Sequence, residues 1–202
     1  MNTPVERQSE IQIRTPTTVD VPAIVRVVRS CEPFLTAHSS YIAWIYTQFY
    51  FETCAVAELD GEIVAWCSII PVPGGYFLHQ LGVLPKARRH GTAKALLVHQ
   101  LQKLNCCKEG FELQFTVDRH NGAVLALNRN VAQRFGMQVM KKTGVLQLVE
   151  PCEEELYAMT PCRFPEARHF SESSPKNQRG KAFTQADGSA NSEVHSYGQK
   201  QT

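Results

Sequence analysis

Apolar residues recur along most of the chain with spacings that predict alternating helices and strands. A short strand is predicted at Ile11 to Arg14. A helix through about Ser30 follows, starting at Thr17 and Asp20, which have the spacing of a capping box. Its predicted buried face consists of Val21, Ile24, Val25 and Val28. Mixed helical spacing predicts a second, aromatic-rich helix from Ser39 to Phe51.

The pattern then changes to short β-branched runs, which are typical of strands. Thr53 to Glu58 and Glu62 to Ile70 are joined by Asp60-Gly61, a dipeptide that strongly favours a tight hairpin. A second turn is predicted over the five residues 71–75, and it leads into a third strand at Tyr76 to Leu84.

The remaining pattern predicts two more helices and closing strands. The first helix should bury Ala93, Leu97, Leu101 and Leu104, and a strand is predicted at Phe111 to Val117. Asn121 to Arg134 has helical spacing and ends before Gly136, while Val139 and Gly144 to Val149 supply closing strand material. This order predicts an α/β (α+β) fold, a mixed sheet with helices on its faces.

Composition divides the chain into two parts. Residues 1–160 have the size and apolar content of one domain, whereas residues 161–202 are dominated by polar residues, Pro and Gly. The second part has too little apolar surface to offset its ordering entropy, so we expect a disordered tail.

Charge and cysteine usage narrow the function classes. The net charge of +2 comes from scattered Lys and Arg, not from a basic stripe, so nucleic acid is not an expected partner. The seven cysteines include no CxxC pair, which predicts reduced thiols and no metal site. The N-terminus lacks an apolar leader, and no apolar run approaches a membrane span, so we expect a cytoplasmic protein with no membrane partner.

One loop has the features of an anion site. The third strand of the predicted hairpins runs directly into Arg88, Arg89, His90 and Gly91, where a helix begins. The first N–H groups of a helix lack internal partners and attract negative charge, and glycine lets a phosphate approach closely. Because the loop has neither P-loop nor Gly-x-Gly-x-x-Gly spacing, it favours a pyrophosphate over a nucleoside triphosphate. An ordinary strand-to-helix turn with surface arginines remains the alternative.

The hexapeptide Arg88-Arg89-His90-Gly91-Thr92-Ala93 resembles the acetyl-CoA signature of the GNAT acetyltransferases, Arg/Gln-x-x-Gly-x-Gly/Ala. Val83-Leu84-Pro85 stands where that family has Val-x-Pro. The resemblance implies a mostly antiparallel sheet with a splayed strand and acetyl-CoA as co-substrate. By the same resemblance, cofactor contacts fall to Leu81, Gly82, Val83, Arg88, Arg89, His90, Gly91, Thr92, Ala93, Asn121 and Asn128. It also allows a homodimer.

A second stretch resembles the L-2,4-diaminobutyrate acetyltransferases, which make the N-acetyl precursor of ectoine. His38-Ser39-Ser40-Tyr41, with Phe49, Thr53-Cys54 and Val56-Ala57-Glu58, is similar to the Asn-Ser-Ser-Tyr... Phe... Thr-Cys-x-Val-Ala-Glu pattern of that family. The resemblance implies diaminobutyrate as the small amine substrate, with substrate contacts from Thr36, Ser39, Tyr41 and Gln114. Ser39 and Tyr41 could equally just begin the second helix.

This chain departs from the family pattern at four positions. Thr36 and Gln114 stand where the family has acidic residues, His79 where it has tryptophan, and Asn128 where it has an aromatic residue. Asn128 cannot protonate a leaving thiolate. These changes keep two alternatives open: an acetyltransferase of another small amine, and a non-catalytic acyl-CoA-binding module.

The chemistry requires the amine to lose a proton, because an alkylamine with a pKa near 10.4 is mostly charged at neutral pH. His79 is the leading catalytic candidate, since strand alternation places it on one face with Leu81 and Val83. A partly buried strand histidine is the alternative interpretation, and Asp118 and His120 are the other candidate bases.

Overall fold

The computed structural model describes residues 10–142 and 154–162. Within them the strands are β1 (Gln12–Arg14), β2 (Cys54–Leu59), β3 (Glu62–Val72), β4 (Gly75–Val83), β5 (Leu113–Asp118), β6 (Met137–Lys141) and β7 (Glu154–Pro161). The helices are α1 (Val21–Arg29), α2 (Ser40–Phe49), α3 (Thr92–Lys103) and α4 (Gly122–Arg134). Three single 3-10 turns lie at Thr18–Asp20, Phe51–Thr53 and Pro85–Ala87.

These seven strands form one open sheet in the order β1-β2-β3-β4-β5-β7-β6. All neighbouring pairs are antiparallel except β4 and β5, which run parallel. The predicted mixed, mostly antiparallel sheet with helices on both faces is therefore confirmed. Strand β7 was not predicted, although Leu156 to Met159 is an apolar run, because the run is short and lies between polar residues at the end of the predicted domain.

The turns agree with the sequence in one case and differ in the other. Asp60 and Gly61 both have positive φ (52° and 79°), as a tight hairpin turn between β2 and β3 requires. The five-residue turn predicted at 71–75 is wrong, because β3 continues to Val72 and β4 begins at Gly75. Pro71 fits the ladder opposite Tyr76 at the strand end.

The helices bury slightly different faces from those predicted. In α1, Val27 is fully buried while Val25 is half-buried, and in α3 Leu96 joins Leu97 and Leu101 in the core. Ala93 and Leu104 of the predicted face are half-buried. The prediction placed the centre of each apolar stripe one position away, because residues on both flanks of a stripe are apolar.

The start of α1 is held by a charged cluster that joins three elements. The capping box at Thr17 and Asp20 is present, and Asp20 also accepts two hydrogen bonds from the Arg14 guanidinium, at 2.7 and 2.9 Å. Arg14 further donates to Glu58 of β2 at 3.0 Å through its Nε. Hydrogen bonding from Arg14 lowers the pKa of Asp20 below its usual value.

Two predictions fall on residues outside the described ranges: the strand material at Gly144 to Val149 and the tail beyond residue 162. Among the helices of residues 10–142 and 154–162, none has the length and apolar character needed to span a membrane.

Candidate active site

The centre of the sheet opens between the two parallel strands. β4 and β5 pair at only three positions, Tyr76 with Leu113, Phe77 with Gln114, and Leu78 with Phe115. β4 continues to Val83 along β3, but within the described residues nothing pairs with its other edge beyond Leu78. The backbone groups of residues 79–83 on that edge are thus available to a ligand, except the Val83 carbonyl, which accepts a hydrogen bond from Arg88.

A cavity of about 490 Å³ occupies this opening. Its walls come from β4, from the C-terminal half of β5, from α4 and from the segment that follows α1. The residues that line it include Glu32, Leu78, His79, Leu81, Val83, Arg88, Ala93, Phe115, Asp118, Asn121, Leu127, Asn128 and Glu154. The arrangement combines apolar walls with a few polar groups, as small-molecule sites do.

His79 lies at the point where the strands separate, and at a β-bulge. Ser68 of β3 pairs with Gln80 and Ile69 pairs with Leu78, so His79 is the extra residue of β4. Its Nδ1 lies 3.0 Å from the Tyr46 hydroxyl of α2, and its ring stacks on that of His38, with centroids 5.3 Å apart. His79 does line the cavity with Leu81 and Val83, but the bulge, which strand alternation does not include, brings its ring against α2.

The surroundings of His79 change its acid-base properties. Burial, followed by the nearby His38, lowers the pKa of His79 to about 4. The imidazole is therefore neutral at physiological pH, and it is a weak base compared with an ordinary histidine.

The basic loop forms the other end of the site. The N-cap of α3 is Gly91, with φ +80°, and Arg89 also has a positive φ of 67°. The Thr92 hydroxyl donates to the Ala87 carbonyl at 2.9 Å, which closes the loop against the preceding 3-10 turn. Arg88 donates through Nε to the Val83 carbonyl at 2.9 Å and through Nη2 to the Ser30 carbonyl at 3.0 Å.

These contacts separate the loop residues by role. The side chains of Arg88 and Thr92 hold the loop in shape through these bonds, although Arg88, like Arg89 and His90, is exposed. A crevice of about 240 Å³ lies against the loop and shares Val83, Arg88, Ala93 and Leu127 with the main cavity. The helix N-terminus and the open edge of β4 thus border adjacent spaces.

Two asparagines of α4 line the cavity. The Asn121 side chain accepts a hydrogen bond from the Val124 N–H at 3.4 Å, so it caps the helix. Asn128 is fully buried and donates through Nδ2 to the Val124 carbonyl at 2.9 Å. Its Oδ1 is buried with no hydrogen-bond donor among the described residues, and this acceptor would suit an N–H group of a ligand.

Gly82 differs in role from its neighbours Leu81 and Val83. A Cβ at Gly82 would lie 3.1 to 3.3 Å from Leu35, Cys31 and Val27. Glycine fits here because α1 and the segment after it approach β4 closely, on the side away from Leu81 and Val83, and a larger residue would push their side chains aside.

The four predicted substrate residues do not line the main cavity. Thr36 is exposed, and its carbonyl accepts a hydrogen bond from Gln80. Tyr41 is 63% exposed and stacks on Trp44, and Gln114 donates to Glu112. Ser39 borders a separate small crevice beside His38 and Gln80.

Other lining residues were missed by sequence reasoning. Glu32 and Glu154 add carboxylates to the cavity, beside Asp118, which was an alternative base candidate. The Asp118 carboxylate accepts the His120 N–H at 2.7 Å, which is the turn-forming role considered for it. Glu32 lies in a turn and Glu154 at the start of the unpredicted β7, so no periodic signal marked either one.

The chain is similar to known proteins in sequence and in fold. The model of the acetyltransferase (GNAT) family matches residues 21–136. L-2,4-diaminobutyric acid acetyltransferase of Chromohalobacter salexigens is 34% identical over 127 residues, covering 61% of this chain and 65% of that protein. The enzyme of the same name from Nocardia farcinica is 30% identical over 156 residues, covering 74% and 79%.

Among solved structures, diaminobutyrate acetyltransferase of Paenibacillus lautus, in complex with its substrate L-2,4-diaminobutyric acid and coenzyme A, superposes with a TM-score of 0.67. It is 24% identical, and the alignment covers 76% of this chain and 96% of that protein. This likeness supports the fold.

Proposed function

Since this chain belongs to the acetyltransferase (GNAT) family, we propose that it is an acetyl-CoA-dependent N-acetyltransferase whose substrate is L-2,4-diaminobutyrate. The observation that carries the proposal is the open edge of β4 beside a glycine-containing helix N-terminus. An extended chain of amides ending in a pyrophosphate, such as coenzyme A, matches both features in one ligand.

The residues present fit this ligand. The N–H groups at Gly91 and the start of α3 suit the pyrophosphate, and Arg89 and His90 add positive charge around it. The free edge at residues 79–83 suits the pantetheine amides, and the unpartnered Oδ1 of Asn128 suits a donor from the same ligand.

Acetyl-CoA supplies an activated thioester. In the overall reaction the substrate ammonium loses one proton, its nitrogen forms a bond to the carbonyl carbon, and the carbon–sulfur bond breaks. The second proton lost from nitrogen balances the thiolate, which leaves as the thiol. Leu78, Leu81 and Phe115 form apolar walls around this exchange.

Charge around the cavity suits a cationic substrate. Glu32, Asp118 and Glu154 line it, whereas Arg88 is engaged by two backbone carbonyls. Carboxylates near an ammonium group favour its binding. The names of the relatives point to diaminobutyrate among such substrates.

A second candidate is an acetyltransferase of another small amine. It is favoured by the placement of Thr36, Tyr41 and Gln114 outside the cavity, since these were the residues expected to contact diaminobutyrate. The resemblance also supports a role in ectoine biosynthesis and a homodimer. The cysteine pattern supports a location in the cytoplasm, and all three belong to the proposal.

The test is thiol release from acetyl-CoA by the purified full chain, with L-2,4-diaminobutyrate and, in parallel, with a panel of diamines, polyamines and amino acids. Release that depends on diaminobutyrate, with N-acetyldiaminobutyrate identified by mass spectrometry, supports the proposal. Release with a different amine replaces the substrate. Binding of coenzyme A without release for any amine refutes the enzyme and leaves a binding module.

A further inference from the structure

We infer that His79 is a hydrogen-bond donor for the thioester carbonyl oxygen, held in its Nε2–H form by the Tyr46 hydroxyl, and is not the base that deprotonates the amine. The inference rests on the proposed function and assigns a role within the same site.

The first step is the hydrogen accounting at Tyr46. Tyr46 as a whole is 9% exposed, and its hydroxyl has one hydrogen-bond partner among the described residues, Nδ1 of His79 at 3.0 Å. Burial raises the pKa of Tyr46, so the hydroxyl keeps its proton. A buried hydroxyl that donates to nothing costs about 1 to 3 kcal/mol, whereas an unused lone pair costs less. The Tyr46 hydroxyl therefore donates, and Nδ1 accepts.

The second step concerns the other ring nitrogen. A neutral imidazole has one N–H, so an Nδ1 that accepts places the hydrogen on Nε2. The described residues supply no partner for Nε2, while His79 lines the cavity. The cavity therefore receives an N–H donor from His79. A base would need the opposite arrangement, with the lone pair on Nε2.

The third step is protonation. The Tyr46 hydroxyl can donate to Nδ1 only while the imidazole is neutral, because a protonated ring carries a hydrogen on both nitrogens. Burial together with the stacked ring of His38 disfavours that charged form. The carboxylates of Glu32, Asp118 and Glu154 also line the cavity, on other elements, and they do not offset this effect.

The fourth step is location. His79 is the first residue of β4 beyond the last pair with β5, at the closed end of the opening. From Val83 to His79 the strand rises about 13 Å. A ligand with its pyrophosphate at the Gly91 end and its arm along β4 thus has its reacting end near His79, where negative charge develops on the carbonyl oxygen.

The expected kinetics separate a donor from a base. His79→Gln keeps an N–H donor on a side chain of similar length, whereas His79→Leu removes it. For a donor we expect kcat to fall less than about 10-fold in His79→Gln and about 100-fold or more in His79→Leu. Tyr46→Phe should lower kcat about 3- to 10-fold, while Tyr50→Phe, a matched change at the residue that caps the C-terminus of α2, should leave kcat unchanged.

The decisive measurement does not depend on turnover. ¹⁵N NMR of the full chain labelled at histidine reports which ring nitrogen carries the hydrogen, with the His79 signals assigned by their loss in His79→Gln. We expect His79 in the Nε2–H form in wild type and in Tyr50→Phe, and a mixture of both forms in Tyr46→Phe. The rates are measured with whichever amine the wild-type protein acetylates.

The inference is overturned if the hydrogen lies on Nδ1, whatever the turnover. Equal loss of kcat in His79→Gln and His79→Leu also overturns it, as does a rise of the amine KM with kcat unchanged, since that places His79 against the substrate. Absence of thiol release by wild type with every amine refutes the proposed function, and the NMR result still decides the Tyr46–His79 arrangement.

Discussion

Replacing Gly91 with aspartate places a carboxylate at the N-terminus of α3, where the pyrophosphate of coenzyme A is proposed to lie. Asparagine is the matched control, because it has nearly the same shape without the charge. A Cβ at Gly91 meets no atom within 4 Å, so neither substitution causes a clash. The φ of +80° strains both equally, and Asn and Asp tolerate this region better than other residues do, at about 1 kcal/mol.

The difference between the two variants therefore measures charge. Two unit charges about 5 Å apart repel by roughly 3 kcal/mol at an effective dielectric constant near 20. Because Gly91 is exposed, solvent reduces this to about 2 kcal/mol, which corresponds to a roughly 30-fold weaker affinity. We expect Gly91→Asp to bind coenzyme A about 30-fold more weakly than Gly91→Asn, with similar Tm values.

Isothermal titration calorimetry with coenzyme A at low and high salt gives the affinities, and circular dichroism gives the Tm. The gap between the variants should narrow as salt rises. If Gly91→Asp binds within threefold of Gly91→Asn at low salt, the pyrophosphate does not lie at this helix end and the assignment of the loop is refuted.

Three further predictions concern stability. Gly82→Ala should lower the free energy of unfolding in urea by about 1 to 3 kcal/mol through overpacking against α1, and an unchanged value would contradict that close approach. Gly75→Ala should cost at least as much, since its Cβ would overlap the backbone carbonyl of Glu112, and a neutral result would show that β4 can shift there. Arg14 lowers the pKa of Asp20, so the ionised Asp20 carboxylate stabilises the folded state. This stabilisation is complete above the unfolded-state pKa near 3.9 and is lost as pH falls through the folded-state pKa. Asp20→Asn should thus lower stability at pH 7 and flatten its fall in acid, and an unchanged acid profile would refute the linkage.

Local patterns were sufficient for most of the fold. The capping residues at Thr17 and Asp20, the Asp60-Gly61 turn and the glycine at position 91 each act through neighbouring atoms, so the sequence shows them directly. Strand β7 was missed because it pairs with β5, which lies far from it in sequence, and with β6, from which a connecting segment separates it. A strand that gains its stability from pairing carries little local signal.

The site was only partly predictable for the same reason. The loop at Arg88 to Ala93 is contiguous, and the structure places it beside the cavity. His79 lines the cavity beside Leu81 and Val83, as strand alternation indicates, but its bulge and its contact with Tyr46 depend on residues from three elements. His38 belongs to the Ser-Ser-Tyr stretch and His79 to β4, and the structure brings their rings into contact. No spacing in the sequence links two positions on different elements in this way.

Only three residue pairs join β4 to β5, so the sheet consists of two parts connected by a short parallel ladder. One part contains β1 to β4 and the other contains β5 to β7. A ligand hydrogen-bonded to the open edge of β4 and to α4 would connect the two parts of the sheet and restrict motion of one part relative to the other. The backbone amides of the three β4–β5 pairs should then exchange hydrogen more slowly when coenzyme A is bound.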